Sequence, residues 1–199
     1  MELQLDERSV KQILIRTAAA EDTKALLKIY TPYVKNTAIT FEYSVPSEEE
    51  FKGRMEKILQ KYPYLVAEMD GEIVGYAYAG AFHERPAYEW AAETTIYVKQ
   101  DRKKLGIGKK LYDELERYLK LQNILNLNAC IACPEIEDEY LTRNSIHFHR
   151  HLGYKMVGEF HRCGFKFDRW YNMVWMEKHI GSHSRQPLPV RAFKEIKEE

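Results

Sequence analysis

The sequence predicts an α/β fold in which a central mixed β-sheet carries helices on both faces. Three observations support this prediction: a length of 199 residues, the order of the apolar patterns, and a glycine turn that joins two of the strands. The length suits one domain with a substantial core. The patterns follow the order β-α-α-β-β-β-α-β-α-β-β, so antiparallel hairpins and strand–helix units belong to the same sheet.

The first third of the chain is predicted to form one short strand and two helices. The strand covers residues 13–16, and the helix after it, over about 21–36, carries apolar residues at helical spacing. The second helix begins after Ser47, because Ser47 and Glu50 have the spacing of a capping box, and it extends to about Gln60.

The middle of the chain alternates between strands and helices. Asp70-Gly71 supplies the positive-φ turn of a hairpin formed by the apolar runs on its two sides. A strongly alternating strand follows over residues 92–99, and a helix over 109–121 has leucines four residues apart. A buried strand over 126–133 and a short helix over 144–152 complete this part.

Two strands and a segment without pattern close the chain. Residues 154–160 and 170–177 are predicted to be strands, so we assign residues 13–180 to one domain. Beyond this domain, over 181–199, the apolar pattern is lost, and two prolines prevent the last strand from continuing. We expect this segment to be a C-terminal tail or arm.

Composition excludes several classes of protein. Lys+Arg and Asp+Glu are equal at 30 each, so no overall basic charge points to nucleic acid or an anionic membrane. No apolar run approaches the roughly 20 residues of a membrane helix. The first residues, MELQLDERSVKQ, do not resemble a secretory signal, and three cysteines suit a reducing cytoplasm. We therefore expect a cytoplasmic protein.

A basic glycine loop joins the strand over 92–99 to the helix over 109–121. Its sequence is DRKKLGIGKKL, residues 101–111. It is not a P-loop, because Lys103 occupies the position of the first glycine, and it is not a dinucleotide fingerprint, because Leu111 replaces the third glycine. The amides of such a loop, placed before a helix N-terminus, favour a pyrophosphate ligand. The alternative is a solvated basic turn that needs glycine only for its geometry.

One stretch resembles motif A of the GNAT acyltransferases: ETTIYVKQDRKKLGIGKKLYDEL. Four further segments are similar to the phosphinothricin acetyltransferase branch of that family and occur in the same order: NTAITFEYSVPSEEEF, ERPAYEWAAETTIYV, HRHLGY and GFKFDRWYNMVWME. The resemblance spans about residues 13–178. It implies the GNAT fold, acetyl-CoA as the cosubstrate, and direct transfer of an acetyl group to an amine.

The resemblance also assigns the acetyl-CoA contacts. In the family, the loop amides bind the pyrophosphate and the preceding strand pairs through its backbone with the pantetheine arm. On this chain those groups belong to Ile96, Tyr97, Val98, Lys103, Lys104, Leu105, Gly106, Ile107, Gly108 and Lys109. Lys103 stands where the family usually has arginine or glutamine. Asn144 has the position of a helix N-cap and, as in many family members, of a CoA contact.

Glu93 is the first candidate catalytic residue. It lies at the start of the motif A strand among apolar and hydroxyl side chains, where partial burial would raise the pKa of its carboxyl group. Such a carboxylate can take the proton of an acceptor amine, directly or through water. The alternative is a structural carboxylate that bonds backbone amides. The resemblance places a catalytic carboxylate at this position.

His149 is the second candidate. Three histidines alternate in HFHRHL, but residues two apart on a helix face different directions, so we expect no metal cluster. His149 shares the inward face with Ser145, Phe148 and Leu152, and the resemblance gives it a role in polarising or protonating near the thioester. The alternative is a buried histidine satisfied by a backbone group. Cys130 and Cys133 point to opposite faces of a strand, so we expect no zinc site.

The acceptor is predicted to be the amine of a small molecule, of the phosphinothricin or methionine sulfoximine type. The resemblance puts Phe41 in the wall of the acceptor pocket and Arg85 near the anionic group of an amino-acid substrate, although Arg85 could equally form a surface salt bridge. The loop CPEIEDEYLTRN is longer than in that branch. Two other functions stay open: acetylation of a protein or peptide amine, and a non-catalytic acyl-CoA-binding domain. We expect a homodimer and no metal.

Overall fold

The computed structural model describes residues 12–197, and its elements follow the predicted order. The N-terminal stretch MELQLDERSVKQ lies almost wholly outside these residues. The strands are β1 (Ile13–Thr17), β2 (Tyr64–Met69), β3 (Glu72–Ala81), β4 (Ala91–Val98), β5 (Asn126–Cys133), β6 (Lys155–Lys166) and β7 (Arg169–His179). The helices are α1 (Thr23–Asn36), α2 (Glu48–Leu59), α3 (Ile107–Leu121), α4 (Asn144–His151) and α5 (Phe193–Ile196). None of these helices is long and apolar enough to cross a membrane.

The strands form one seven-stranded sheet in the order β1-β2-β3-β4-β5-β7-β6. All neighbouring strands are antiparallel except β4 and β5, which run parallel. The predicted mixed sheet is therefore confirmed. The parallel pair results from the crossover through α3, which returns the chain to the sheet in the same direction.

The sheet opens between its two parallel strands. Pairing covers only Ala91–Glu93 of β4 with Asn126–Asn128 of β5, and the rest of β4 is bonded to β3 alone. The Lys99 N–H donates to the Val74 carbonyl of β3. Because successive residues of a strand direct their N–H and C=O groups to opposite sides, those of Ile96 and Val98 point away from β3 and into the opening. The middle of the sheet thus presents unpaired strand edge to a ligand.

Helices cover both faces of the sheet, and each face has its own core. On one face α3 buries its leucine stripe, with Leu111, Leu115 and Leu119 at 1 % exposure or less. On the other face α1 and α2 pack Leu26 and Met55, both fully buried, against β2 and β3. Successive residues of β4 alternate between these two cores, which becomes important at the site.

Local signals in the sequence place most of the helix ends and turns. The Ser47 hydroxyl accepts the Glu50 N–H at 3.1 Å and caps α2, as the spacing predicts. Asp70 and Gly71 both have positive φ, at 55° and 76°, in the predicted hairpin turn. One capping prediction is wrong: α4 begins with Asn144 inside the helix, and the N-cap is Arg143, without a side-chain cap.

The C-terminal segment packs against the domain as an arm as far as it is described. Phe193 and Ile196 are each only 1 % exposed, and Phe193 meets the Tyr118 ring edge to face at 5.1 Å. The Gln122 amide donates to the Arg191 carbonyl at 2.8 Å, and the Trp90 indole donates to the Leu188 carbonyl at 2.8 Å. These contacts lie beyond the last strand, where the sequence shows no periodicity to predict them.

Candidate active site

A cavity of about 530 Å³ lies on the α1/α2 side of the sheet, where the odd-numbered residues of β4 point. Aromatic side chains form a large part of its walls, namely Tyr30, Phe41, Phe51, Tyr64, Tyr76, Tyr78 and Tyr97. Three charged side chains also line it, namely Glu42, Arg54 and Glu93. A cavity of this size and character suits a small organic ligand.

Glu93 lies in the lining of this cavity, in the part of β4 that still pairs with β5. Its side chain is half-buried, and burial raises the pKa of its carboxyl group above the ordinary value. Within residues 12–197 its carboxylate forms no hydrogen bond and no ion pair. The alternative role, a structural carboxylate that bonds backbone amides, therefore has no support among these residues. A carboxylate with a raised pKa and no partner is suited to accept a proton.

A second, smaller cavity of about 60 Å³ lies in the opening between β4 and β5. It shares five lining residues with the large cavity, which are Ile39, Thr95, Tyr97, Cys130 and Ala132. The two cavities therefore adjoin through the sheet. A ligand arm in the opening would meet a second ligand held beside Glu93.

His149 lies on the opposite side of β4 and lines the smaller cavity. It is 3 % exposed, and both of its ring nitrogens are bonded. Nδ1 is 2.8 Å from the Ser145 carbonyl, which can only accept, so Nδ1 carries the proton. Nε2 accepts the Tyr112 hydroxyl at 2.9 Å. Burial lowers the pKa of His149, so the ring is neutral near pH 7.

Tyr112 extends this buried network toward β4. Its hydroxyl lies 3.3 Å from the Thr94 hydroxyl, which in turn is 3.1 Å from the Tyr154 hydroxyl. Burial raises the pKa of Tyr112, and the phenol keeps its proton. The residues brought together here come from α3, α4, β4 and the turn before β6. Sequence reasoning found His149 but missed Tyr112, because its position beside Leu111 in the leucine stripe is typical of a core residue.

The glycine loop presents free backbone donors. Within residues 12–197, the N–H groups of residues 103–109 form no hydrogen bond. Lys104 and Gly106 have positive φ, at 66° and 79°, and α3 starts directly after Gly106. Such consecutive amides at a helix N-terminus form an anion-binding nest, and the exposed lysines add positive charge. The loop therefore fits the pyrophosphate of CoA.

Gly108 has a packing role that the motif does not reveal. A Cβ at this position would come within 3.0 Å of the Phe148 ring on α4, so the bare Cα allows α3 and α4 to approach each other. The ammonium group of Lys109 is paired with Asp113 at 2.5 Å, one turn further along α3. Within the loop, Gly106 supplies the turn, and Gly108 supplies close packing.

The strand residues predicted to pair with pantetheine divide into two groups. Ile96 and Val98 direct backbone groups into the opening, whereas the backbone of Tyr97 faces β3 opposite Tyr76. The Val98 carbonyl already accepts the Tyr33 hydroxyl from α1. Ile96 and the Val98 N–H therefore remain for a ligand, and Tyr97 contributes its ring to the cavity wall. Tyr33 was not predicted, because its spacing in α1 is that of a core residue.

The predicted acceptor residues separate in the structure. Phe41 lines the large cavity, but Arg85 is exposed in the loop between β3 and β4 and is not part of the lining. The guanidinium in the lining is Arg54, which bonds Glu42 and Glu50 at 2.6 Å each. The sequence gives no signal for Arg54, because α2 contains many charged residues and Arg54 does not differ from the others in the pattern. Asn144 is exposed at the start of α4.

The described residues give no support to a metal site. No group of three or more potential ligand residues is found among residues 12–197. Cys133 is buried and Cys130 is exposed, as expected for positions on opposite faces of β5. His147 and His151 are exposed, whereas His149 points inward.

Comparison with known proteins agrees with this geometry. A model of the acetyltransferase (GNAT) domain matches residues 15–175. The phosphinothricin N-acetyltransferase of Streptomyces viridochromogenes is 30% identical over 186 residues, which cover 94% of this chain and 97% of that protein. The L-methionine sulfoximine/L-methionine sulfone acetyltransferase of Pseudomonas aeruginosa is 30% identical, covering 83% and 94%.

A solved structure extends the agreement to the fold. The GNAT superfamily phosphinothricin acetyltransferase of Sinorhizobium meliloti, crystallised with acetyl-CoA, has a TM-score of 0.80 and 31% identity. The match covers 91% of this chain and 98% of that one. The opened sheet, the free loop amides and the adjoining cavities thus occur in a chain that belongs to the GNAT family of acetyl-CoA-dependent N-acetyltransferases.

Proposed function

We propose that this enzyme acetylates the primary amine of a small amino-acid-like molecule, with Glu93 as the base. The observation that carries the proposal is the connection of the two cavities across β4. The acceptor cavity contains a free carboxylate, and the opening that adjoins it can hold a thioester. A non-catalytic acyl-CoA-binding domain has no need of an open acceptor cavity that reaches this point.

The chemistry follows from the position of Glu93. An amine near neutral pH enters as an ammonium ion, and the Glu93 carboxylate takes one of its protons. The freed nitrogen attacks the thioester carbonyl, a C–N bond forms, and the C–S bond breaks. The nitrogen loses a second proton, and the departing thiolate gains one, so the products are an amide and a thiol.

His149 has a supporting part in this proposal. Its Nε2 accepts a hydrogen bond and its Nδ1 proton is held by Ser145, so a neutral His149 has no proton directed at the thiolate. This arrangement favours a positioning role for His149 over proton donation. His149 orients the Tyr112 hydroxyl at the edge of the small cavity, beside the reacting thioester.

For acetyl-CoA we propose the loop and strand residues named from the sequence, with the exceptions that the geometry suggests. The amides of residues 103–109 would hold the pyrophosphate, and Ile96 with the Val98 N–H would pair with pantetheine. Asn144 lies at the exposed start of α4, where a contact with CoA is open to it. Tyr97 would instead contact the acceptor.

The acceptor is proposed from the relatives and from the cavity together. Relatives named for phosphinothricin and for methionine sulfoximine indicate an amino acid with a polar side chain. Phe41 would pack against its aliphatic part. Two guanidinium groups compete for its anionic group: Arg85, in the exposed loop before β4, and Arg54, in the cavity lining.

We further propose that the enzyme is a cytoplasmic homodimer. The cysteines are free, which suits a reducing compartment. The edge strand β6 is 12 residues long and exposes apolar side chains, including Val157 at 59% and Phe160 at 56%. Long exposed edges of this kind are usually covered, and a second copy would cover this one.

The test is thiol release from acetyl-CoA with a panel of amines. Phosphinothricin and methionine sulfoximine should be acetylated with higher kcat/KM than polyamines, aminoglycosides or peptides. Arg85→Ala should raise KM for these amino acids and leave KM for acetyl-CoA unchanged, and Arg54→Ala is the matched variant inside the cavity. Acetylation of peptides or polyamines alone would contradict the proposed acceptor. Failure of every amine in the panel to cause thiol release would contradict amine acetylation.

A further inference from the structure

The acceptor cavity has one wall made of irregular chain. This wall loop, residues 37–47, connects α1 to α2, and its residues Ile39, Thr40, Phe41 and Glu42 line the cavity. Because the loop contains no helix or strand, its position depends on contacts with other elements. Those contacts therefore control the shape of the cavity.

The wall loop is held against the end of β6. The Lys166 ammonium group, on a residue only 3 % exposed, donates to the Thr40 carbonyl at 2.7 Å. The Tyr43 hydroxyl donates to the Phe165 carbonyl at 2.6 Å. Both bonds involve neighbouring residues of β6, Phe165 and Lys166, and Gly164 directly precedes them.

Gly164 is where this contact is closest. A Cβ built on Gly164 would lie 2.3 Å from the Phe41 ring, so the ring rests on the bare Cα. The φ of Gly164 is not in the left-handed region, so the backbone itself would accept alanine, and only space requires glycine. The Phe41 ring also stacks on Tyr171, the residue that pairs with Gly164 across β6 and β7, with centroids 6.5 Å apart. A displaced ring would move into the cavity.

We propose that Gly164 is a specificity-determining residue, which sets the width of the acceptor cavity by seating Phe41 against β6. The inference rests on the proposed function, since it assumes that the amine is bound in this cavity. Any side chain at position 164 would push Phe41 inward and exclude the bulkier acceptors. Gly164 itself need not touch the substrate.

The test is Gly164→Ala assayed with accepted amino acids of increasing side-chain size. We expect kcat/KM for the bulkiest to fall about tenfold or more and for the smallest to change little, with KM for acetyl-CoA unchanged; one methylene in a hydrophobic pocket has effects of this order. The double variant Gly164→Ala with Phe41→Leu should regain the bulky acceptors, because leucine leaves room for the added methyl group.

Gly158→Ala is the matched control on the same strand, since a Cβ there would meet nothing within 4 Å. It should behave as the unmodified enzyme. Equal losses for every acceptor, or no rescue by Phe41→Leu, would overturn the inference. If no amine is acetylated at all, the proposed function fails, but a crystal structure of Gly164→Ala still decides the inference: Phe41 shifted into the cavity supports it, and an unmoved ring refutes it.

Discussion

The two faces of β4 differ in how their polar groups are used. On the α1/α2 face, Glu93 lies in a large cavity and forms no hydrogen bond within residues 12–197. On the α3/α4 face, Thr94 lies one residue further on, and its hydroxyl is bonded to the Asn128 carbonyl and to Tyr154. Behind it, Tyr112 and His149 bond each other. We call the first the open face, because its carboxylate is free, and the second the closed face, because its polar groups are bonded to one another.

This difference teaches how one strand supports chemistry and rigidity together. A catalytic base needs an unsatisfied carboxylate, which costs stability because burial disfavours its charge. A buried hydrogen-bond network fixes the strand that carries the proposed base, and it does so only if its members are satisfied. Changes on the open face should therefore mainly lower turnover, and changes on the closed face should mainly lower stability.

The largest expected effect is that of Glu93→Gln on turnover. Loss of the proposed base should lower kcat about 10²-fold or more, the usual scale for such groups. Since burial raises the pKa of Glu93, activity of the unmodified enzyme should fall as pH drops through that raised pKa, and the variant should lack this limb. Steady-state kinetics against pH measure both.

The control for Glu93→Gln is acetyl-CoA affinity by calorimetry, which should be nearly unchanged because the side chain faces the acceptor cavity. Normal turnover in the variant would mean that the amine loses its proton elsewhere. An acid limb that persists in the variant would assign the titration to another group.

The second expected effect is on stability and comes from the closed face. Tyr112→Phe removes the donor to His149 Nε2 and leaves a buried acceptor unsatisfied, which costs about 1–3 kcal/mol. The free energy of unfolding should fall by that amount, while turnover falls less than in Glu93→Gln. Chemical denaturation and kinetics on the same samples provide the comparison.

A double-mutant cycle sharpens this second prediction. In a His149→Phe background, the further change Tyr112→Phe should cost little, because the bond is already lost. Additive losses would show that the two residues act separately. A 10²-fold loss of turnover in Tyr112→Phe at unchanged stability would place proton chemistry on the closed face and break the contrast between the two faces.

The sequence predicts the open face better than the closed one. Glu93 stands out as a charge in an apolar strand, and the glycine loop as charge around bare backbone, so both signals are local. Tyr112, Tyr33 and Gly164 have no such signal. Two tyrosines at helical spacing and one glycine in a strand are typical of a core, and their partners lie at least 18 positions away in the sequence.

The same limit explains where the prediction of the fold is incomplete. The order of elements follows from periodicity, which each segment carries in itself. The opening between β4 and β5 depends on how far two distant strands stay in register, and the packing of the C-terminal arm depends on Phe193 reaching a site beside α3. Neither can be seen from the pattern of one segment.

The smallest expected effect returns to Glu93 and concerns stability. Because its pKa in the folded chain is raised above the unfolded value, Glu93 contributes stability at acid pH, and this contribution is lost as pH rises through the folded pKa. Glu93→Gln carries no charge at any pH, so near neutral pH the variant should be slightly more stable than the unmodified enzyme. This difference in stability should disappear on acidification.

Thermal unfolding at several pH values measures the difference. The control is Glu84→Gln, which removes an exposed carboxyl group in the loop before β4 and should show no such difference. A variant less stable at neutral pH would mean that the carboxylate is held by favourable contacts, and the open face would then be as satisfied as the closed one.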